Sequence, residues 1–212
     1  MRTLHVVTHP EATHHVDGLV GGHFDSALTP AGEHAATLIA QALKDAVPDP
    51  SRAELYSSDL TRTRQTAEAI GAVLGLTPVL DPRLREKSYG EAEGRPQQWL
   101  DQRFVPPPAE GDRLDHHEGI DGSETRGDVA RRVYPLMDEI LRRPAEHQII
   151  VTHGFALTLV VAAWLGVPLE GAGRLAFPVR PGSITTLRED DFYHNRSLVR
   201  LGDERHLTQA NS

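Results

Sequence analysis

Two histidines close the same short pattern: Val6-Val7-Thr8-His9 near the start of the chain returns as Ile150-Val151-Thr152-His153. A neutral imidazole is a competent nitrogen nucleophile, and its ring N–H groups can donate to anionic oxygens. Each histidine follows an apolar, β-branched run, Leu4-His5-Val6-Val7-Thr8 and Gln148-Ile149-Ile150-Val151-Thr152, that reads as a buried strand. In an open α/β sheet, ligands bind in the crevice outside the carboxyl ends of the strands. Two strands that deliver His9 and His153 to that edge would put two imidazoles in one pocket, the arrangement that phosphoryl transfer through histidine needs.

The elements that must position them alternate along the chain. After the first strand comes a glycine-rich loop, Gly18 to Gly22, and then Leu28-Thr29-Pro30. Thr29 suits an N-cap and Pro30 the first helical position. The helix is expected to carry Ala35, Leu38, Ile39, Ala42 and Leu43 on one face, with Pro48 and Pro50 closing it. Glu54-Leu55-Tyr56-Ser57 reads as a second strand. Ser58 or Asp59 is expected to cap the next helix, which bears Leu60, Ala67, Ile70 and Leu74 and ends at Gly75. A weaker strand, Thr77 to Leu80, precedes an irregular stretch from about Asp81 to Gly122. Loops this long within compact domains are usually lids or binding segments, so this one is expected to roof the site.

Gly122-Ser123-Glu124 is expected to begin a helix with Val129, Val133, Leu136, Met137, Ile140 and Leu141 on its apolar face. Pro135 lies inside that pattern and should kink or divide it. Phe155 to Leu165 is almost wholly apolar and reads as a buried helix. Residues 174–201 read as the remaining strands, with a hairpin around Asp190-Asp191. The alternation predicts a single α/β domain over 1–212, a three-layer α/β/α sandwich with a largely parallel sheet.

Bulk properties bound the function. The chain has 212 residues, 39% hydrophobic and 25% charged, a globular composition with length for a well-buried core. A formal charge of −8 argues against a nucleic-acid surface, yet a small anionic substrate can still meet a locally positive pocket. No apolar run approaches the ~18 residues of a membrane span. Met1-Arg2-Thr3 is expected to enter a strand at once, with no room for a signal peptide. Cysteine is absent, so disulfides and thiolate zinc sites are excluded and a cytoplasmic location is expected.

The chain resembles the histidine phosphatase superfamily, the phosphoglycerate mutase-like group. The resemblance rests on Thr8-His9-Pro10-Glu11, Asp25-Ser26-Ala27-Leu28-Thr29 and Ser57-Ser58-Asp59-Leu60-Thr61-Arg62 with Thr66-Ala67 behind it. It continues through Leu84-Arg85-Glu86 with Gly90 and Glu93-Gly94, then Gly122-Ser123-Glu124 and Val151-Thr152-His153-Gly154. These segments occur in the family's order and span nearly the whole chain. By that resemblance, His9 is the nucleophile, Arg62 and His153 grip the phosphate oxygens, and Glu86 protonates the leaving alcohol. Water then hydrolyses the phosphohistidine, with no metal and no cofactor. Arg62 falls in the first turn of a helix after a strand end, where helix amides also favour an anion. If Glu86 is shielded, its pKa should rise and suit it to general acid work.

The motif around His9 departs from the family's Arg-His-Gly-Glu. Thr8 stands in place of the arginine and Pro10 in place of the glycine, and His15 stands where asparagine is frequent. Leu19 and Gly21 stand where arginine and glutamine are frequent, which points to a less charged, roomier pocket. Thr8 and His15 are counted with Arg62 and His153 as substrate-binding candidates. A lost charge-assisted hydrogen bond costs roughly 1.5–3 kcal/mol, a gap that His14, His15 or another cation could offset.

Three functions remain open at this level. The first is a metal-independent phosphatase or mutase acting on a small phosphorylated metabolite through phospho-His9. The second is a catalytically repurposed member that binds an anionic ligand or a protein partner, a reading that Thr8 and Pro10 motivate. The third is a metal-dependent hydrolase, suggested by twelve histidines, although their spacing matches no zinc pattern. His14-His15 and His116-His117 read as loop residues before ligands, and a homodimer is allowed.

Overall fold

The computed structural model describes residues 1–208. Its six-stranded sheet is built from β1 (Arg2–Thr8), β2 (Ala53–Ser57), β3 (Val79–Leu80), β4 (His147–Thr152), β5 (Ile184–Glu189) and β6 (Arg196–Asp203), in the order β3-β2-β4-β1-β5-β6. The first four strands in that order pair in parallel; β5 pairs antiparallel with both β1 and β6. Only β5 therefore runs against the rest, as the largely parallel expectation requires.

Period-two alternation along the strands divides the core in two. Leu4, Val6, Ile150 and Leu187 pack with Val133, Leu136, Met137 and Ile140 of α5 (Arg126–Leu141) and Leu157 and Val161 of α6 (Gly154–Trp164). On the opposite face, Val7, Leu55, Ile149 and Val151 pack with Ile39, Ala40 and Leu43 of α2 (Pro30–Ala46) and Ala67, Ile70 and Leu74 of α3 (Thr61–Leu74). Adjacent strands β1 and β4 thus send their following long helices to opposite faces. The crevice that opens between their carboxyl ends is the topological switch point of the sheet.

Several local expectations are met. Thr29 caps α2 by accepting the Gly32 N–H at 3.0 Å, with Pro30 at the first position. Gly75 ends α3 at φ +70°, where a left-handed residue is needed. Asp190 closes the β5–β6 hairpin by accepting the N–H groups of Phe192, Tyr193 and Asn195.

Others are corrected. The buried face of α2 is Ala36, Ile39, Ala40 and Leu43, while Ala35, Leu38 and Ala42 lie at its half-buried edge. Neither Ser58 nor Asp59 caps α3. Asp25, far off in sequence, accepts the Thr61 N–H at 2.6 Å and the Thr61 hydroxyl at 2.9 Å, and Asp59 instead pairs with Arg85. Helix α5 begins at Arg126, not at Gly122-Ser123-Glu124, because Thr125 and Asp128 form a reciprocal cap. Pro135 does not divide α5; it lies on the exposed side, where the carbonyl it leaves unpaired can be hydrated. Residues 175–183 are irregular and reach no strand before Ile184.

Residues 81–122 contain short 3₁₀ turns and one five-residue helix, α4 (Gln97–Asp101). Ala92, Leu100 and Ile120 of this stretch enclose a small core with Val20 of the glycine-rich loop. Two further short helices, α1 (Thr13–Val16) and α7 (Arg205–Thr208), complete the described chain. No helix among the described residues is long and apolar enough to cross a membrane.

Candidate functional site

Register brings the two histidines together. Thr8 of β1 is the parallel partner of Thr152 of β4, so the next residue of each strand leaves the sheet at the same level. The His9 and His153 rings lie 5.0 Å apart between centroids, edge to face. Both residues are buried.

The tautomer of His9 follows from its partners. Nδ1 lies 2.8 Å from the Pro10 carbonyl, which can only accept. Nε2 lies 3.1 Å from Arg62 Nε, which can only donate. His9 therefore carries its proton on Nδ1 and presents the Nε2 lone pair. Proline at position 10 takes nothing from this lock, since it is the carbonyl that is used. Burial first, then the Arg62 charge, hold the His9 pKa well below the ordinary histidine value.

Arg62 is buried, and each nitrogen of its guanidinium has a partner: Nε on His9, Nη1 on the Phe24 carbonyl at 2.8 Å and Nη2 on the Gly22 carbonyl at 2.7 Å. It reaches this place because Ser58 extends β2 beside β4, donating its N–H to the Val151 carbonyl, and α3 begins three residues later. The Asp25 cap on Thr61 and the Arg62 fork staple the 22–25 loop to the start of α3. Burial pulls the Arg62 pKa down to about 10, still far above neutrality.

His153 Nε2 lies 3.0 Å from the Ser58 hydroxyl, and its Nδ1 has no partner within the described residues. Burial and the Arg62 charge lower the His153 pKa well below the histidine value. The Glu86 carboxylate fastens on the N-terminus of α6: Oε2 accepts from Phe155 N, and Oε1 from Ala156 N and Lys87 N, each at 3.0 Å. Glu86 is half-buried rather than shielded. Lys87, in what reads as a solvated charged stretch, is buried, paired with Glu118 and set 4.3 Å over the Tyr89 ring.

A cavity of about 240 Å³ is lined by His9, Arg62, Glu86 and His153, together with Thr8, His14, His15 and Arg180 among others. All six residues singled out from the sequence thus meet in one place. The Thr8 hydroxyl donates to the Arg180 carbonyl at 2.8 Å and lies 3.2 Å from Ser183 Oγ, so it ties down the 180–183 turn. His15, exposed, stacks on His9 at 5.5 Å, and its Nδ1 accepts the Ala12 N–H.

His14 was expected to be a loop residue. It is buried in α1, bonded to Ser26 Oγ at 2.6 Å, and its pKa is pushed down to about 3 by burial first and then by His15 and Arg62. Gly21 makes room for it: a Cβ there would lie 2.8 Å from His14 Nε2. Leu19 is outside the cavity and pairs with Pro96. His116 bonds the Val105 carbonyl, and neither it nor His117 lines the cavity. Tyr89 and Arg180 carried no signal in the sequence, since tertiary packing alone brings their segments to the strand ends. Among the described residues no group of three histidine or acidic side chains is placed to hold a metal ion.

The profile of the histidine phosphatase superfamily (branch 1) matches residues 4–203. A Yersinia pestis protein described as a probable phosphoglycerate mutase is 34% identical over 181 residues, 82% of this chain and 80% of that one. A mycobacterial glucosyl-3-phosphoglycerate phosphatase, solved in complex with VO3, superposes with a TM-score of 0.77 at 26% identity, covering 96% of this chain and all of that one. The alpha-ribazole phosphatase of Shigella flexneri shares the fold, with a TM-score of 0.76 at 24% identity and 96% of each chain covered.

Proposed function

The chain belongs to the histidine phosphatase superfamily, and we propose that it hydrolyses a small phosphorylated metabolite through a phosphohistidine intermediate on His9. The observation that carries this reading is the tautomer lock, with the Pro10 carbonyl at 2.8 Å from Nδ1 leaving Nε2 as the lone-pair nitrogen in the cavity.

In the first step His9 Nε2 attacks phosphorus, the P–N bond forms and the bond to the ester oxygen breaks. The Arg62 Nε–H, whose acceptor is the attacking nitrogen, turns to a phosphoryl oxygen, where positive charge and positioning are what the reaction needs. Glu86 delivers a proton to the leaving alkoxide. In the second step Glu86 takes a proton from water, the hydroxide attacks phosphorus, and inorganic phosphate leaves as the P–N bond breaks. His153, held through Nε2 by Ser58, is left with Nδ1 for a phosphoryl oxygen. No step draws on a metal or a cofactor.

The cavity is small, below the range typical of drug-sized ligands, which suits a phosphoryl group with a compact organic part. The relatives that match well carry both mutase and phosphatase names, so the acceptor is decided by experiment. Hydrolysis of a generic aryl phosphate with chelator present, wild type beside His9→Ala, tests the proposal. Turnover that vanishes in the variant supports it, and turnover that survives contradicts it. Ligand-induced thermal stabilisation with no turnover on any phosphate ester would favour the non-catalytic binder.

A further inference from the structure

The residues that line the cavity include two arginines and one glutamate, Arg62, Arg180 and Glu86. The imidazoles do not add to this positive charge: burial and neighbouring cations hold His9, His14 and His153 below the ordinary histidine value, and His15 is lowered too. A phosphate monoester brings close to two negative charges at neutral pH. Arg62 already commits one N–H of each guanidinium nitrogen to His9 or to the carbonyls of Gly22 and Phe24, so only part of its donor set is free for a phosphoryl group. Arg180 differs in this respect. Its side chain is 81% exposed, and its nearest acid, Glu204, stands 3.8 Å away, too far for a hydrogen bond.

The main chain of Arg180 is as firmly held as its side chain is loose. The Thr8 hydroxyl donates to its carbonyl at 2.8 Å, and Ser183 N–H donates to Thr8 Oγ1 at 3.3 Å. Gly182 N–H is shared between the carbonyls of Thr8 and His9 at 3.1 Å each. The turn that carries Arg180 is thereby fixed to the nucleophile strand at the residue before the nucleophile, while its long side chain stays exposed and free to move. A residue larger or less polar than threonine at position 8 could not make this tie, because the position is buried between β4 and β5.

We propose that Arg180 is the second phosphate-binding guanidinium of this site, supplied by the turn before β5, and that Thr8 is its positioning residue. The assignment rests on the reading of the cavity as a phosphoryl site. On substrate entry Arg180 exchanges its loose contact with Glu204 for the phosphoryl oxygens. Most of its effect falls on KM, because it meets the phosphate alike before and during transfer.

The test uses inorganic phosphate as probe, its binding to the full chain followed by calorimetry, and aryl phosphate turnover measured in parallel. Arg180→Gln is expected to weaken phosphate binding and lower kcat/KM by about 10- to 100-fold, the loss of one charge-assisted contact. Arg180→Lys should recover part of it, and Glu204→Gln should tighten phosphate binding. Thr8→Val should move both readouts in the direction of Arg180→Gln, Thr8→Ser should restore them, and Thr8→Val combined with Arg180→Gln should be no worse than Arg180→Gln alone. Wild-type phosphate affinity in Arg180→Gln, with turnover still dependent on His9, would overturn the proposal while leaving the phosphatase reading intact. Additive losses from Thr8→Val and Arg180→Gln would overturn the positioning role. Loss of His9 dependence would instead overturn the phosphatase reading.

Discussion

Thr8 and Thr152 are register partners across β1 and β4, and the residues that follow them, His9 and His153, stand with their rings 5.0 Å apart. The sheet therefore sets the spacing of the two imidazoles before any loop is considered. What the loops add is orientation, through the Pro10 carbonyl on one ring and the Ser58 hydroxyl on the other.

The orientation of His153 is open to test at Ser58. Ser58→Ala removes the hydroxyl 3.0 Å from Nε2 and leaves the ring without a side-chain partner. An effect on kcat/KM of about 10-fold is expected, with a fall of a few degrees in the melting temperature, since a buried ring nitrogen is left unpartnered. Unchanged kinetics would mean that packing alone holds the ring.

Arg62→Lys keeps the charge but not the fork. Lysine cannot serve His9 and the Gly22 and Phe24 carbonyls together. The expected fall in kcat/KM is on the order of 10²- to 10³-fold, the scale of losing a preorganised donor. Near-normal turnover in this variant would reduce Arg62 to a point charge.

The lowered pKa of His9 has a kinetic consequence. Once corrected for ionisation of the substrate, kcat/KM should hold steady through pH 6.5, where an unperturbed histidine would be half protonated. Its acid limb should lie below that value. A half-point at 6.5 would show that the nucleophile is not shielded as its burial implies.

On the opposite side of the sheet from α5 and α6, His5 is buried with neither ring nitrogen partnered among the described residues, and burial pushes its pKa down to about 4. Above pH 6.5 the folded and unfolded chains are both neutral at this residue. Between 6.5 and 4 the unfolded chain binds a proton that the native chain refuses, so acid favours unfolding, by about 3 kcal/mol across the window. His5→Leu should raise stability at pH 5 and flatten the dependence of the urea midpoint on pH. An unchanged slope would assign the acid sensitivity elsewhere.

Gly32→Ala sets two effects against each other. Alanine is the better helix former by about 1 kcal/mol. Its Cβ, however, would lie 2.0 Å from the Glu11 backbone carbonyl, next to the motif that carries His9. Overpacking against backbone costs roughly 1–3 kcal/mol or more, so the clash should win and the melting temperature should fall by several degrees. A rise would mean that the loop yields freely.

How far the sequence could be read depends on how local each signal is. The paired Thr-His strand ends, the Thr29-Pro30 helix start and the apolar face of α5 are local patterns, and each stands where its residues predict. The start of α3 is different: its cap is Asp25, brought in by the fold of the glycine-rich loop. Glu86 could be picked out by its motif, but its grip on the amides of α6 depends on a helix far along the chain. Arg180 is invisible for the same reason, since hydrogen bonds from its turn to Thr8 and His9, far off in sequence, bring it to the site. Thr8 reads as a substrate ligand from its motif, and its hydroxyl holds that turn.

The central claim is that His9 carries the phosphoryl group. Rapid quench of the protein with an aryl phosphate, followed by mapping of the acid-labile phosphoryl group, tests it most directly. The account predicts label on His9 in the wild type and none in His9→Ala, with turnover lost in that variant. Label on another residue, or turnover that persists without His9, would contradict it.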